Sequence, residues 1–286
     1  MNRPFFTTLL GLVGLLLAGC ASMDEKQGEW IFQPSDRTWG GYAADGMEDR
    51  WIAFDSQLTG KPVRLHALWQ EAPIPAQPAG TATAAPAPVL LYLHGSRWNV
   101  TSSAFRARRM QELGFAVLSL DYRGFGKSDP APTSEAIAYE DARAAWDWLA
   151  RTYPDRPRYI FGHSLGGAIA IELASQVTDE AGTMVEGTFT SIPDVLSSMK
   201  WGWLPIGPLI TQRFDSRGKV ARIGSPLLVV HGANDRLIKP KLGRQLFDAA
   251  VEPKAFVLVE GGSHHNTNSV GQPLYRVAIT QLFGLP

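Results

Sequence analysis

The chain reads as an α/β protein, a mostly parallel sheet with helices on both faces. From Val89 onward, short continuous apolar runs alternate with amphipathic helical patterns, as buried parallel strands joined by crossover helices do. Polar loops bearing chemically capable residues follow those runs, at the strand ends where an open parallel sheet gathers its ligands. At 286 residues and 45% hydrophobic content, the chain is large enough for one such core. Lysine plus arginine equal aspartate plus glutamate at 27 each, so no overall field draws nucleic acid. The cluster Arg106, Arg108 and Arg109 reads as a solvated helix face. The single cysteine, Cys20, excludes an intrachain disulfide and a cysteine metal cage. No converging ligand set for a metal is present, and no cofactor is expected.

Taken in order, the N-terminus comes first. Arg3 precedes an apolar run from Phe5 to Ala18, too short for a comfortable bilayer span and suited to a signal-peptide core. It ends in Leu17-Ala18-Gly19-Cys20, which resembles the lipobox of bacterial lipoproteins. The resemblance implies removal of residues 1–19, acylation of Cys20 and stable membrane attachment through several acyl chains. Ala21 and Ser22 follow, with no aspartate directly after the cysteine. By that family's rule this implies the bacterial cell envelope, and the outer membrane in a Gram-negative cell. Residues 20–28 are then a lipidated, polar tether.

Alternating, aromatic-rich segments follow at Glu29–Gln33, Arg50–Asp55 and Val63–Trp69, the last two forming a hairpin around Ser56–Pro62. Residues 72–88 are rich in proline and alanine and read as a loop inserted between neighbouring strands. A strand is expected at Val89–Leu93, a helix at Ser102–Leu113 ended by Gly114, and a strand at Phe115–Leu120. A helix from about Ser134 to Arg151 puts Ala138, Ala142, Ala145 and Leu149 on one face. Arg158–Phe161 reads as a strand and Ala168–Ala174 as a helix. Later strands are expected at Val185–Thr190, Leu227–Val230 and Ala255–Val259, and helices at Pro240–Ala250 and Pro273–Phe283. Residues 192–223 exceed a plain link and carry Met199, Trp201, Trp203, Leu204, Ile206, Leu209, Ile210 and Phe214. Two readings stand for them: a small lid or acyl-binding wall, and core packing under a long connection.

The chemistry centres on Gly162-x-Ser164-x-Gly166, between a strand and a helix, the pattern of a nucleophile elbow. An abrupt strand-to-helix turn strains its central residue, and side chains two positions either side would collide. Ser164 then sits near the N-terminus of the following helix, where backbone N–H groups stabilise an oxyanion. A serine hydroxyl needs a base, and the base needs an orienting carboxylate. Past Val230 comes His231-Gly232-Ala233-Asn234-Asp235; past Val259 comes Glu260-Gly261-Gly262-Ser263-His264-His265. The order Ser164, Asp235, His264 suits this arrangement. Asp194 is a rival acid and His265 a rival base. His66, His94, His163 and His231 read as structural or loop-bracing groups. Arg97-Trp98 reads equally as pocket lining or as an exposed turn.

These stretches, with Leu93-His94-Gly95-Ser96 and Asp121-Tyr122-Arg123-Gly124-Phe125-Gly126-Lys127-Ser128, resemble the α/β-hydrolase family. Within it, the Bem46-like and ABHD-like branch of small serine hydrolases is the nearest pattern, from about Arg50 to the C-terminus. The resemblance implies an α/β-hydrolase domain over residues 29–286, with Ser164 as nucleophile, Asp235 as acid and His264 as general base. It implies an oxyanion hole from the backbone N–H groups of Ser96 and Leu165. The expected function is a membrane-anchored hydrolase of small carboxylic ester, thioester or lipid acyl ester substrates. The alternative is a catalytically silent lipoprotein scaffold on the same fold.

Overall fold

Glu48–Asp55 (β1) and Pro62–Gln70 (β2) pair antiparallel around a turn closed by Ser56 N–H donating to the Lys61 carbonyl at 2.9 Å. This is the expected hairpin. The structure, a computed structural model, describes residues 23–35, 44–73, 86–199 and 207–285. Cys20, residues 1–19, most of the proline-rich stretch, and Trp201, Trp203, Leu204 and Ile206 lie outside the described residues.

Six further strands follow: Val89–Leu93 (β3), Ala116–Leu120 (β4), Arg158–His163 (β5), Gly182–Glu186 (β6), Leu227–Gly232 (β7) and Lys254–Val259 (β8). They complete one sheet in the order β1-β2-β4-β3-β5-β6-β7-β8, parallel from β4 to β8. β2 joins antiparallel to β4. The proline-rich stretch therefore connects β2 to a strand that is not its neighbour, since β4 lies between them. Continuous apolar runs are needed because both faces are covered. Leu91 and Leu93 enter one core cluster, whereas Leu90 and Tyr92 enter the other.

Val100–Gln111 (α2), Thr267–Val270 (α8) and Gln272–Phe283 (α9) cover one face. Glu135–Thr152 (α3), Leu165–Ala174 (α4), Arg217–Val220 (α6) and Pro240–Ala249 (α7) cover the other. Side-chain oxygens start two of these helices. Asn99 accepts from the Ser102 N–H at 3.1 Å and Ser134 from the Ile137 N–H at 3.2 Å. Among the described residues no helix is long and apolar enough to cross a membrane.

Two further expectations are corrected and one open choice is decided. Residues 23–32 form a helix (α1), which replaces both the polar tether over 23–28 and the strand-like segment at Glu29–Gln33. Gly28, Ile31 and Phe32 are its buried positions, at helical spacing, and Phe32 packs on Phe125 and Phe214. The polar residues expected to be solvated instead bond the 209–212 stretch: Gln27 donates to the Leu209 carbonyl and Asp24 accepts from Gln212, both at 2.8 Å. β6 begins and ends earlier than the apolar run suggests, because Gly187 at φ 57° turns the chain. Finally, residues 192–223 divide between the two readings. Ile192–Ser197 (α5) flanks a cavity, whereas Phe214, Val220 and Ile223 are buried in the core.

The glycine pattern sets a measurable contrast. A methyl group at Gly166 would fall inside the van der Waals radius of the Leu93 carbonyl oxygen, while one at Gly224 meets nothing within 4 Å. In urea unfolding, Gly166→Ala is expected to cost about 1–3 kcal/mol. Gly224→Ala should stay within about 1 kcal/mol of the parent.

Candidate active site

β5 runs into α4 through Ser164, whose backbone holds φ 56° and ψ −121°. That region disfavours any side chain. It is enforced from three sides. A side chain at Gly162 would strike the Gly166 carbonyl, one at Gly167 would meet Thr188, and one at Gly95 would stand 3.1 Å from the Ser164 Cβ. The Ser164 N–H donates to the Glu186 carbonyl at 2.9 Å, and its own carbonyl accepts from the Thr188 hydroxyl at 2.8 Å. The serine is thereby tied on both sides of its Cα, to the end of β6 and to the turn that follows it.

The structure brings Ser164, His264 and Asp235 together. His264 Nε2 lies 3.0 Å from Ser164 Oγ, and His264 Nδ1 lies 2.8 Å from Asp235 Oδ2. The other carboxylate oxygen, Oδ1, accepts from the Leu237 and Ile238 N–H groups at 2.9 and 2.8 Å. Burial by itself would raise the Asp235 carboxyl. Hydrogen bonding with His231 and His264 outweighs it and holds the group well below the ordinary carboxylate range. An ionised Asp235 fixes the imidazole with Nδ1 protonated, leaving Nε2 as an acceptor for the serine proton. All three side chains are nearly buried, so the pair is little screened by solvent.

The rivals fall elsewhere. His265 is exposed, and its ring meets that of His264 edge-on without reaching Ser164. Asp194 sits in the first turn of α5, where it accepts from the Ser191 hydroxyl at 2.8 Å. Ser96 and Leu165 line the same cavity as Ser164, and among the described residues neither backbone N–H donates to a protein acceptor. His66 is buried between Asp121 and Asp49, and His94 donates to the Gly95 carbonyl at 2.7 Å. His231 Nε2 donates to the Ile238 carbonyl at 2.9 Å, bracing the loop that holds Asp235.

Arg106 corrects the expectation of a solvated helix face. Its side chain is buried, with Nε 3.2 Å from Glu186 and Nη2 donating to the carbonyls of His264 and His265 at 3.2 and 3.1 Å. Glu186 also accepts from the Tyr275 hydroxyl at 2.5 Å. His163 Nε2 joins at 2.9 Å from the His264 carbonyl; burial, and then the Arg106 charge, push its imidazole well below the usual range and keep it neutral. One guanidinium therefore ties α2, the strand behind the elbow and the His264 loop into a unit. Its position was readable in part. Arg106 stands between the buried Ala104 and Ala107 and four residues before Met110, on the apolar stripe of α2.

A cavity of about 320 Å³ opens over Ser164. Phe189, Ile192, Val195, Leu196, Leu237 and Ile238 form an apolar wall; Trp30, Ile31 and Gln33 contribute from α1 and its end. Nothing in the residues of α1 points to that last contribution, because the segment reads as strand-like and remote. Arg97 and Trp98 also line the cavity, which resolves their two readings.

The sheet order and the strand-to-helix turn at Ser164 define the α/β-hydrolase fold. Comparison with known proteins agrees on the fold: residues 84–210 match the family described as serine aminopeptidase, S33, over a little under half of the chain. An uncharacterized protein of Mycobacterium tuberculosis is 34% identical over 181 residues, 63% of either chain. The lysophosphatidylserine lipase ABHD12 of Danio rerio is 29% identical over 187 residues, covering 59% of this chain and 48% of that protein. The match thus spans less than two thirds of these relatives' own length. The Pyrococcus furiosus esterase Pf2001 superposes with a TM-score of 0.66 at 18% identity, covering 89% of this chain and 97% of that one.

Removing the cation alone should be far worse than removing the pair. Arg106→Met strands a buried Glu186 carboxylate and is expected to cost about 3–5 kcal/mol. The double variant Arg106→Met/Glu186→Leu should recover most of that loss. Thermal and urea unfolding of both variants check this.

Proposed function

We propose that this chain is a membrane-anchored serine hydrolase that cleaves carboxylic esters through an acyl-enzyme. The chief support is one contact: a serine hydroxyl on a strained elbow, 3.0 Å from an imidazole whose far nitrogen lies 2.8 Å from a carboxylate. Ser164 Oγ attacks the ester carbonyl carbon as His264 Nε2 takes its proton, and Asp235 stabilises the imidazolium. The negative oxygen of the tetrahedral intermediate accepts from the Ser96 and Leu165 N–H groups. As the C–O bond to the alcohol breaks, the imidazolium gives its proton to the departing oxygen, leaving acyl-Ser164. Water, deprotonated by His264, then attacks the acyl carbon; the acid departs and Ser164 regains its proton.

The apolar wall beside Ser164 suits an acyl chain, and a cavity of about 320 Å³ is small for this purpose. Esters of short and medium acyl chains are therefore placed ahead of long-chain lipid acyl esters. The name of the Pyrococcus furiosus esterase points to ester substrates, and that of the Danio rerio lysophosphatidylserine lipase points to lipid acyl esters. The anchor rests on Leu17-Ala18-Gly19-Cys20 and the apolar run before it. An acylated Cys20 would leave only two residues between the anchor and the described start of α1, placing the enzyme close to the surface of a bacterial envelope membrane.

A fluorophosphonate probe should label the parent protein and not Ser164→Ala. p-Nitrophenyl esters should show kcat/KM rising from acetate to a medium chain and falling for palmitate. A folded protein that takes no label and cleaves no ester is a scaffold instead.

For the anchor, cells fed labelled palmitate should incorporate it into the parent and not into Cys20→Ala. Label that persists in the variant would rule out this attachment site.

A further inference from the structure

The reaction proposed above makes no use of Arg97, yet the fold goes to some length to place it. Among the described residues, five non-glycine positions have positive φ: Gln33, Arg97, Trp98, Ser164 and Phe214. Four of them line the cavity over Ser164, Phe214 being the exception. Such conformations cost about 1–3 kcal/mol each and persist where surrounding contacts impose them. The contacts here are explicit. The Arg97 N–H donates to the Phe32 carbonyl at 2.7 Å, and Pro34 and Trp98 form a parallel bridge. Arg97 Nε donates to the Gln33 amide oxygen at 2.9 Å, a neutral partner that aims the guanidinium without neutralising it.

The charge around the cavity is lopsided in a chain whose charges balance. No aspartate or glutamate is among the described residues that line it, while two arginines are. Arg106 is paired with Glu186 at 3.2 Å. Arg97 has no carboxylate partner among the described residues, and its two Nη groups make no hydrogen bond there. Asp235, the nearest buried carboxylate to the reaction, is committed to His264 and to two backbone N–H groups. Arg97 directly follows Ser96, so its fork of donors stands one residue from the proposed oxyanion site. A planar guanidinium with both terminal nitrogens uncommitted among the described residues is suited to bidentate binding of an anionic group.

We propose that Arg97 selects esters carrying a second, negatively charged group (carboxylate, sulfonate or phosphate) close to the scissile bond. This deepens the hydrolase reading and rests on it. The charge binds in the ground state and the transition state alike and also steers encounter, so its effect falls on kcat/KM. Exposure of Arg97 to solvent makes the effect sensitive to salt.

Two matched pairs test it. p-Nitrophenyl hexanoate against p-nitrophenyl hydrogen adipate places the charge on the acyl side. Phenyl hexanoate against 4-sulfophenyl hexanoate places it on the alcohol side. The readout is the anionic-to-neutral ratio of kcat/KM in each variant divided by that of the parent, which cancels the intrinsic reactivity of the esters. In one pair, Arg97→Gln should lower this ratio by about tenfold at low ionic strength. Arg97→Lys should lower it less, and 0.5 M salt should shrink the difference; the responding pair reports the side of the bond. An equal loss for both members of each pair, or an unchanged ratio, overturns the assignment while leaving the hydrolase intact. A folded parent that cleaves none of the four esters overturns the hydrolase reading, and the assignment with it.

Discussion

The backbone of Ser164 sits where an L-residue resists sitting, and the neighbouring elements are arranged to keep it there. Conformational strain of about 1–3 kcal/mol must be offset by local contacts. Here the contacts are close packing on glycines and two hydrogen bonds, one to the last residue of β6 and one to Thr188 just after it. The glycines at 162, 166 and 167 do not supply flexibility. They remove side chains that would hold β5, α4 and the ends of β3 and β6 apart. Once those elements close, the serine points outward from the end of the sheet, and the loops after β7 and β8 are brought beside it.

Those two loops need their own restraint, because a hydrogen bond of 3.0 Å to Ser164 places little constraint on a mobile histidine. Asp235 is fixed by N–H groups of its own loop, and the Ser263–Asn266 turn, with Ser263 N–H donating to Asn266 at 2.7 Å, shapes the loop bearing His264. Arg106 completes the restraint from beneath. A buried cation is costly to desolvate, and the Glu186 carboxylate offsets that cost. The guanidinium then has donors left over for the His264 and His265 carbonyls, which neither a lysine nor an apolar side chain could supply in the same geometry.

Much of this was legible in the sequence because strong local rules carried it. Gly162-x-Ser164-x-Gly166 specifies a turn whose steric demand is local; Val89–Leu93 and Leu227–Val230 are apolar runs that form buried strands, and Ala255–Val259 forms most of the partly covered edge strand β8. The loops following the last two runs carry Asp235 and His264, and His264 lies within hydrogen-bonding distance of both Ser164 and Asp235. Less legible features depend on distant partners. α1 offers Gly28, Ile31 and Phe32 as its buried face, but a short segment rich in aromatics and polar residues fits a strand pattern as well, and only docking on Phe125 and Phe214 decides. The burial of Arg106 depends on Glu186, 80 residues further along the chain. β4 enters between β2 and β3 through pairing that no local pattern encodes.

The parts read with ease and the parts missed divide by function. Groups beside the serine proton, Ser164, His264 and Asp235, are set by turns at the ends of sheet strands, where the backbone is least free to move. The cavity's outer wall comes from α1, the Arg97–Trp98 turn and α5, segments laid over the strand ends. Their hold is looser in kind: a few hydrogen bonds, one bridge and a handful of apolar contacts. Changing a residue in that outer layer alters shape and charge around the cavity while leaving the elbow packing untouched, because the two layers share few atoms. Such a division lets one rigid frame serve different ligands through its overlying segments. In this chain, it puts an apolar wall and a guanidinium with no carboxylate partner among the described residues around the same serine.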